Sequence, residues 1–314
     1  MTTVSPPQTE INSVIALYSS GQIQEALGAV ETLTKSYPND PLLFNISGIC
    51  YKTIGKLDEA VKSFEKALTI RPNYAEVHYN LGVTFQELGQ LSAAVKCYEK
   101  ALNIKPDYAN ACNNLGFTLQ ELGQLDAAVK CYEKALNIKP DFADACNNLG
   151  ITFRKLGQLD SAVKSYEKAL VIKPDYAEAY NNLGNALQDL GQLDAAVKSF
   201  EKAIATKPGY AEAFNNLGNT LRDLNQLDTA IKCYEKAVTL KPDYAEPNYN
   251  HGNVLLGLQR LDEALANYER AFAIKPEVDF LLGNLLYTRM HLCIWDELSN
   301  DLNELTKKIN NNEK

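Results

Sequence analysis

The sequence predicts an all-α protein, an α-solenoid in which helical hairpins stack one after another. Two observations predict this fold. Eight of the twelve prolines lie 34 residues apart, at Pro38, Pro72, Pro106, Pro140, Pro174, Pro208, Pro242 and Pro276. Within each interval, apolar or small residues recur twice at the spacing of an amphipathic helix. We therefore define eight repeats, each with positions 1–34: residues 7–40, 41–74, 75–108, 109–142, 143–176, 177–210, 211–244 and 245–278.

Each repeat is predicted to hold two helices joined by a turn with the sequence Gly-Gln-Leu-Asp. The glycine at position 15, such as Gly123, suits a left-handed helix end. Asn225 replaces this glycine once, and asparagine tolerates the same conformation. The aspartate at position 18, such as Asp126, is predicted to cap the second helix. The proline at position 32 cannot continue that helix.

Small residues and aromatic residues occupy the positions where the helices are expected to touch. Position 8 holds glycine from Gly48 to Gly252, and position 20 holds alanine from Ala60 to Ala264. Positions 24 and 34 hold phenylalanine or tyrosine, which we expect to fill the space within and between hairpins. Helical contact explains these residues without a binding role.

Taken together, these positions resemble the tetratricopeptide repeat (TPR) family, whose pattern is W-x₂-L-G-x₂-Y…A-x₃-F…P. The resemblance covers residues 7–278 and implies a right-handed TPR superhelix of eight hairpins. Position 4 departs from the family's tryptophan, so we expect different local packing there. Its occupants are Phe44, His78, Cys112, Cys146, Tyr180, Phe214 and Asn248.

The composition argues against nucleic-acid and membrane partners. Lys and Arg number 31 and Asp and Glu number 39, so the net charge of −8 has the wrong sign for binding a phosphate backbone. The N-terminus has neither the basic nor the apolar segment of a signal peptide, and the sequence has no run of about 18 apolar residues. We predict a cytoplasmic protein.

No motif for catalysis, a cofactor or a metal ion appears in the sequence. The three histidines lie in unrelated contexts, and no glycine-rich loop suits a phosphate. The seven cysteines include three at position 23, where other repeats have serine, so we expect reduced thiols rather than disulfides. We predict that the protein is not an enzyme and holds no cofactor or metal.

The predicted binding surface is a row of asparagines on the first helices. Positions 4, 7, 8 and 11 are expected to be buried, and positions 2, 5, 6, 9, 12 and 13 point away from them. Position 6 holds an asparagine in six successive repeats, which we call the asparagine row: Asn80, Asn114, Asn148, Asn182, Asn216 and Asn250. Carboxamides donate and accept, so the row can bind the main chain of an extended peptide or protein segment. Further candidates are Asn181 and Asn215 at position 5, and Asn185, Asn219 and Asn253 at position 9.

Other interpretations of these asparagines stay open at this point. Repeat duplication could have copied an inert residue, or the side chains could bond within the first turn of their own helix. Repeat-coded RNA binding conflicts with the net charge. Acidic residues at positions 2 and 13, such as Glu178 and Asp223, favour a basic or neutral ligand. Self-association is also left open.

Beyond residue 278 the pattern changes. We predict capping helices over 279–309 and disorder at 1–6 and 310–314; the second helix rests on the spacing of Leu298, Leu302, Leu305 and Ile309. Residues 280–298 also resemble the segment that joins repeats to the catalytic domain in bacterial relatives of O-GlcNAc transferase and SPINDLY. That resemblance implies an alternative function, in which the row recruits substrate polypeptides for a downstream sugar-transferring domain that this sequence does not contain.

Overall fold

A computed structural model describes residues 5–295 and Thr306. These residues form α-helices and connecting turns, with no strand among them, so the predicted all-α fold is confirmed. The chain divides into two compact units, Met1–Gly157 and Gln158–Lys314, each described by itself. Within the described residues, no helix combines the length and apolar character needed to cross a bilayer.

Each unit is a series of helical hairpins. The helices of the first unit are α1 (Gln8–Ser19), α2 (Ile23–Ser36), α3 (Pro41–Thr53), α4 (Leu57–Ile70), α5 (Ala75–Glu87), α6 (Leu91–Ile104), α7 (Ala109–Glu121), α8 (Leu125–Ile138) and α9 (Ala143–Lys155). Those of the second unit are α10 (Leu159–Ile172), α11 (Ala177–Asp189), α12 (Leu193–Thr206), α13 (Ala211–Asp223), α14 (Leu227–Leu240), α15 (Ala245–Gly257), α16 (Leu261–Ile274) and α17 (Leu281–His291).

Packing in both units is sequential. Apart from the first hairpin, the two helices of a hairpin make the most extensive contacts, as in α5 with α6 and α13 with α14. Each second helix also packs on the first helix of the next hairpin, and successive first helices touch each other, as α5 touches α7 and α13 touches α15. This last contact brings the equivalent residues of neighbouring repeats together.

The glycine at position 8 allows the two helices of a hairpin to approach closely. A Cβ atom on Gly82 would lie 2.7 Å from the ring of Tyr98, and one on Gly218 would lie 2.6 Å from the ring of Tyr234. Both rings, at position 24, are fully buried. The close approach of the two helices that we expected at position 8 is therefore observed within each unit, with the ring at position 24 as the contact.

The turn residues agree with prediction at position 15 but not at position 18. Gly123 has a φ of +74° and Asn225 a φ of +60°, the left-handed conformation that ends a helix. Gln259 adopts it as well, with a φ of +59°. The predicted aspartate cap is wrong, because Gln124 is the N-cap of α8 and makes no side-chain capping bond. Asp126 is the second residue of α8, in its first turn, where its negative charge is stabilised by the positive end of the helix dipole.

Helix α17 continues the repeat pattern beyond residue 278. Asn284 follows Asn250 by 34 residues, and its backbone oxygen accepts a bond from Thr288 Oγ1 at 2.7 Å, as that of Asn216 does from Thr220 at 2.9 Å. The helix packs on α16 as the first helix of a further repeat. The second capping helix predicted from Leu298, Leu302, Leu305 and Ile309 lies outside the described residues.

Candidate functional site

In the first unit, the asparagine row joins neighbouring hairpins. Its side chains are half-buried, and each donates a hydrogen bond to the residue at position 5 of the preceding repeat. These bonds run from Asn80 Nδ2 to Asn45 Oδ1 at 3.0 Å, from Asn114 Nδ2 to the Tyr79 hydroxyl at 3.2 Å, and from Asn148 Nδ2 to Asn113 Oδ1 at 3.2 Å. The row is thus part of the contact between successive first helices.

The second unit repeats this arrangement. Asn216 Nδ2 donates to Asn181 Oδ1 at 3.1 Å, and Asn250 Nδ2 donates to Asn215 Oδ1 at 2.9 Å. Asn284 extends the row by one member, which our sequence analysis missed because it ended the repeats at residue 278. Continuing the 34-residue interval by one step would have found it.

Each such bond uses one N–H of an amide of the row, and the second N–H and the oxygen of that amide are not needed for it. A carboxamide offers two N–H donors and an oxygen that can accept. Among the described residues, Oδ1 of Asn216 and Oδ1 of Asn250 accept no hydrogen bond. The bonds donated by the row cross between hairpins, and Asn114 Oδ1 also accepts from Asn113 Nδ2 of its own helix at 3.2 Å. Bonding within one helix therefore does not account for the row by itself.

The asparagines at position 5 are buried, contrary to the exposure that we expected for this position. Asn181 is 1% exposed and Asn215 is 5% exposed. A helical wheel considers one helix alone, whereas here the first helix of the next hairpin covers position 5. Asn181 and Asn215 act as acceptors for the row, and Asn181 Nδ2 also donates to Glu212 Oε1 at 3.2 Å.

The position 9 asparagines differ from one another in their hydrogen bonds. Oδ1 of Asn219 accepts from the Tyr234 hydroxyl at 2.9 Å, and Oδ1 of Asn253 accepts from the Tyr268 hydroxyl at 2.8 Å. The sixth repeat has Phe200 at position 24, which has no hydroxyl. The half-buried Asn185 accordingly makes no hydrogen bond to any described residue.

A cavity of about 590 Å³, the Asn250 cavity, opens beside the row in the second unit. It has amides from the row and its neighbours, three aromatic rings and three carboxylates on its walls. These residues are Asn215, Asn219, Asn250, Tyr244, Tyr249, Phe280, Glu246, Glu277 and Asp279. Phe280 is 60% exposed, and the sequence analysis did not select any of the three aromatic residues.

The carboxylates make this cavity negative. Lys275 also lines it and pairs with Glu246 at 3.4 Å, which leaves Glu277 and Asp279 without a compensating lysine in the wall. Burial raises the pKa of Tyr244 to about 12, and the negative charges of Glu212 and Glu246 add to this effect. The Tyr244 phenol is therefore neutral at physiological pH. Because of the carboxylates of Glu277 and Asp279, the cavity favours a neutral or basic ligand.

No metal site accompanies these residues. Within residues 5–295 and Thr306, no three histidine, cysteine, aspartate or glutamate side chains are arranged to hold a metal ion.

Comparison with protein families identifies the repeats. One model described as TPR repeat matches residues 50–89, 85–123, 119–157, 152–191 and 218–259. Models described as tetratricopeptide repeat match residues 177–210, 199–232 and 245–278. The chain belongs to the tetratricopeptide-repeat family. These matches run without a break from residue 50 to residue 278, well over half of the TPR chain. A search of curated proteins finds no match.

Several solved structures resemble this chain. The crystal structure of YrrB, described as a TPR protein with an unusual peptide-binding site, is 26% identical with a TM-score of 0.50 over 60% of this chain and 96% of YrrB. The APC/C hetero-tetramer Cut9–Hcn1 has 16% identity and a TM-score of 0.62 over 89% of this chain and 55% of that one, a likeness of fold alone. MamA is 29% identical with a TM-score of 0.48 over 52% of this chain and 95% of MamA.

Proposed function

We propose that this TPR protein is a non-catalytic scaffold that binds an extended segment of a protein partner along the asparagine row. The repetition of the row is the observation that carries this proposal. Half-buried amides recur at position 6, and each hydrogen bond to the preceding hairpin fixes the side chain from which it comes. A carboxamide held in one orientation loses little further side-chain entropy when it binds a ligand.

The spacing of the row suits an extended main chain. Packed helices lie about 8–10 Å apart, and an extended chain advances about 3.3–3.6 Å per residue. One row amide therefore meets about every third residue of the ligand. The free Oδ1 of Asn216 and that of Asn250 would accept from ligand N–H groups, and Asn185 would add an amide that is not bonded to any described residue.

The similarity to YrrB supports a peptide or protein as the ligand, because YrrB is described as having a peptide-binding site. The charge of the cavity restricts the class of ligand further. Glu277 and Asp279 in the Asn250 cavity favour a neutral or basic segment over an acidic one. A cytoplasmic location, the absence of a nucleic-acid partner and self-association remain predictions from sequence.

The alternative function is that of the substrate-recruiting region of an O-GlcNAc-transferase-like enzyme. It rests on the resemblance of residues 280–298 to that family, and neither YrrB, MamA nor Cut9–Hcn1 is described as a glycosyltransferase. Under this alternative, peptides that bind the row would contain the Ser or Thr acceptors of a sugar-transferring domain. Selected ligands without a hydroxyl residue would argue against it.

Selection from a library of random 12-residue peptides tests the scaffold proposal. We expect peptides selected on the wild-type protein to bind the variant Asn182→Ala/Asn216→Ala/Asn250→Ala, with three changes in the second unit, at least about tenfold more weakly. Three lost hydrogen bonds at about 0.5–1.5 kcal/mol each would exceed the roughly 1.4 kcal/mol that corresponds to a tenfold change. Fluorescence anisotropy measures the affinities.

The matched control is Asp194→Ala/Asp228→Ala/Asp262→Ala, with three exposed changes on the second helices of the same repeats. We expect this control to bind the selected peptides like the wild type. Circular dichroism must show that the asparagine variant keeps its helicity, since the row also joins hairpins. Equal affinities for a folded asparagine variant and the wild type would refute the proposed function.

A further inference from the structure

A second cavity lies on the other side of α15 from the Asn250 cavity. We call it the Asn248 cavity; its volume is about 390 Å³, and its walls include Asn248, His251, Asn267 and Arg270. Asn248 and Asn250 are two residues apart on one helix, about 200° around its axis, so the two cavities face different ways. The proposed peptide site does not use the Asn248 cavity.

Two buried polar side chains in this cavity lack hydrogen-bond partners. Asn248 is 2% exposed and His251 is 8% exposed, and both line the cavity. Neither forms a hydrogen bond with a described residue, whereas Asn267 Nδ2 donates to the Glu263 backbone oxygen at 2.9 Å. The side-chain nitrogen and oxygen atoms of both residues stay accessible from the cavity, where they can bond a ligand with hydrogen-bonding capacity.

Equivalent positions in other repeats indicate the shape of that ligand. Asn248 occupies position 4, where the second repeat has Phe44 and the sixth has Tyr180. In those repeats the lysine at position 26 lies over the ring: Lys66 Nζ is 4.5 Å from the Phe44 centroid, and Lys202 Nζ is 5.5 Å from the Tyr180 centroid. The hairpin thus has a place for an aromatic ring beneath a cation.

In the eighth repeat the cation remains but the ring is missing. Arg270 occupies position 26 and lines the Asn248 cavity. A second case supports this interpretation in the first unit, where the smaller ring of His78 replaces the six-membered ring and Lys100 occupies position 26. Both line a cavity of about 440 Å³. Cavities thus occur at two of the repeats in which position 4 holds no six-membered ring.

We propose that the Asn248 cavity binds a planar aromatic ring that carries a hydrogen-bonding group, such as a phenol. The ring takes the place that Phe44 and Tyr180 fill in their own repeats, next to Arg270. Its hydroxyl bonds the carboxamide of Asn248 or the imidazole of His251. An apolar cavity of about 150 Å³ already accepts benzene, so about 390 Å³ leaves room for the substituted ring.

The same chemistry could come from a free phenol or from a tyrosine side chain of a partner. Glu263 in the cavity wall is held by Arg260 in a two-point ion pair of 2.7 and 2.6 Å, so its charge is compensated. Glu235 also lines the cavity and is available to accept the hydroxyl proton in a hydrogen bond. A phenol satisfies these acceptors, whereas a hydrocarbon ring does not.

The three histidines of the chain provide a direct test. In a ¹H–¹³C spectrum of the imidazole rings, His251 reports on the Asn248 cavity, His78 on the cavity of the first unit, and the exposed His291 is the internal control. We expect p-cresol to shift the His251 signal saturably and to leave His291 unchanged. Toluene and cyclohexanol, which lack the hydroxyl or the aromatic ring, should each bind at least about fivefold more weakly. A blocked tyrosine peptide in a further arm distinguishes a side chain from a free phenol.

Two variants complete the test. Asn248→Phe introduces at position 4 the ring that Phe214 provides in the seventh repeat. This ring should fill the cavity and abolish the p-cresol shift of His251. Asn248→Ala keeps the cavity and should weaken binding about fivefold. No shift of His251 up to the solubility limit of p-cresol, or an equal shift in Asn248→Phe, would overturn the proposal. Equal affinities for p-cresol and toluene would show that the polar groups do not take part, and would overturn it as well.

Discussion

Single residues set the distance between the helices of a hairpin. The glycine at position 8 faces the aromatic ring at position 24, and no other side chain fits at that distance without a shift of the ring. The aromatic ring fills the volume that a larger residue at position 8 would otherwise take. Close packing at this pair therefore depends on both residues.

Replacement of Gly82 with alanine tests this pair. The new Cβ would lie 2.7 Å from the Tyr98 ring, and we expect overpacking to lower the free energy of unfolding by about 1–3 kcal/mol. Gly28→Ala is the control, because no atom lies within 4 Å of its Cβ position on the exposed side of α2. Since alanine favours helices, the control should gain about 0.5–1 kcal/mol. Urea unfolding followed by circular dichroism compares the two; similar effects would contradict the packing argument.

The asparagine row could be predicted from sequence, whereas its bonding could not. Recurrence at position 6 identified Asn148 and Asn216, and the structure places both on the first helices, half-buried. The burial of Asn181 and Asn215 was missed because helical periodicity describes one helix and not the neighbour that covers it. The Asn250 cavity was missed for a related reason, since its walls combine residues from α13, α15 and the segment before α17.

Each hairpin depends on where its first helix ends, and the residue at position 15 determines that end. Glycine occupies this position from Gly21 to Gly191, but Asn225, Gln259 and Cys293 take it in later repeats, all with a φ between +57° and +60°. The left-handed conformation costs a residue with a side chain about 1–2 kcal/mol. The sequence predicted the glycines correctly, and the glutamine shows that tertiary packing can impose the conformation on a less suited residue.

Gln259→Gly should therefore stabilise the eighth repeat. We expect a gain of about 0.5–1 kcal/mol in the free energy of unfolding, because relief of the left-handed strain exceeds the added entropy of glycine in the unfolded chain. Asn225→Gly should gain less, since asparagine tolerates this conformation. Hydrogen exchange of the α15 and α16 amides measures the local effect. A loss of protection in Gln259→Gly would show that its side chain stabilises the turn.

The second helices contain buried or half-buried thiols whose ionisation couples stability to pH. Burial raises the pKa of Cys97, Cys131 and Cys233 to about 11. In the unfolded chain a thiol ionises near pH 8.5, so the unfolded state loses its protons first. The stabilisation is complete below that pH and is lost as the pH rises towards 11. We expect the free energy of unfolding to fall as the pH rises from 8.5 to 10.

The control for this pH dependence comes from the chain itself. Position 23 holds serine in Ser63, Ser165 and Ser199, so Cys97→Ser/Cys131→Ser/Cys233→Ser should fold. Urea titrations at pH 7, 8.5 and 10 should show a smaller loss for this variant than for the wild type. Parallel losses in both proteins would assign the effect to other groups, such as the tyrosines.

Across the whole chain, the row has two roles that share the same amides. The stability of a repeat protein is close to the sum of the stability of each hairpin and the free energy of the contacts between neighbouring hairpins. The hydrogen bonds of the row contribute to the contacts between neighbours. The same bonds orient the amides that we propose to contact the ligand. Scaffold stability and ligand binding are therefore linked at position 6.

The most direct test of this account is a double-mutant cycle between Asn216 and the main chain of a selected peptide. Asn216→Ala removes the Oδ1 acceptor, and replacing one peptide amide with an ester removes one N–H donor. We predict a coupling free energy of about 1 kcal/mol at one peptide position, the size expected for one hydrogen bond. Affinities measured by calorimetry that show no coupling at any position of the peptide would contradict the claim that the row binds an extended main chain.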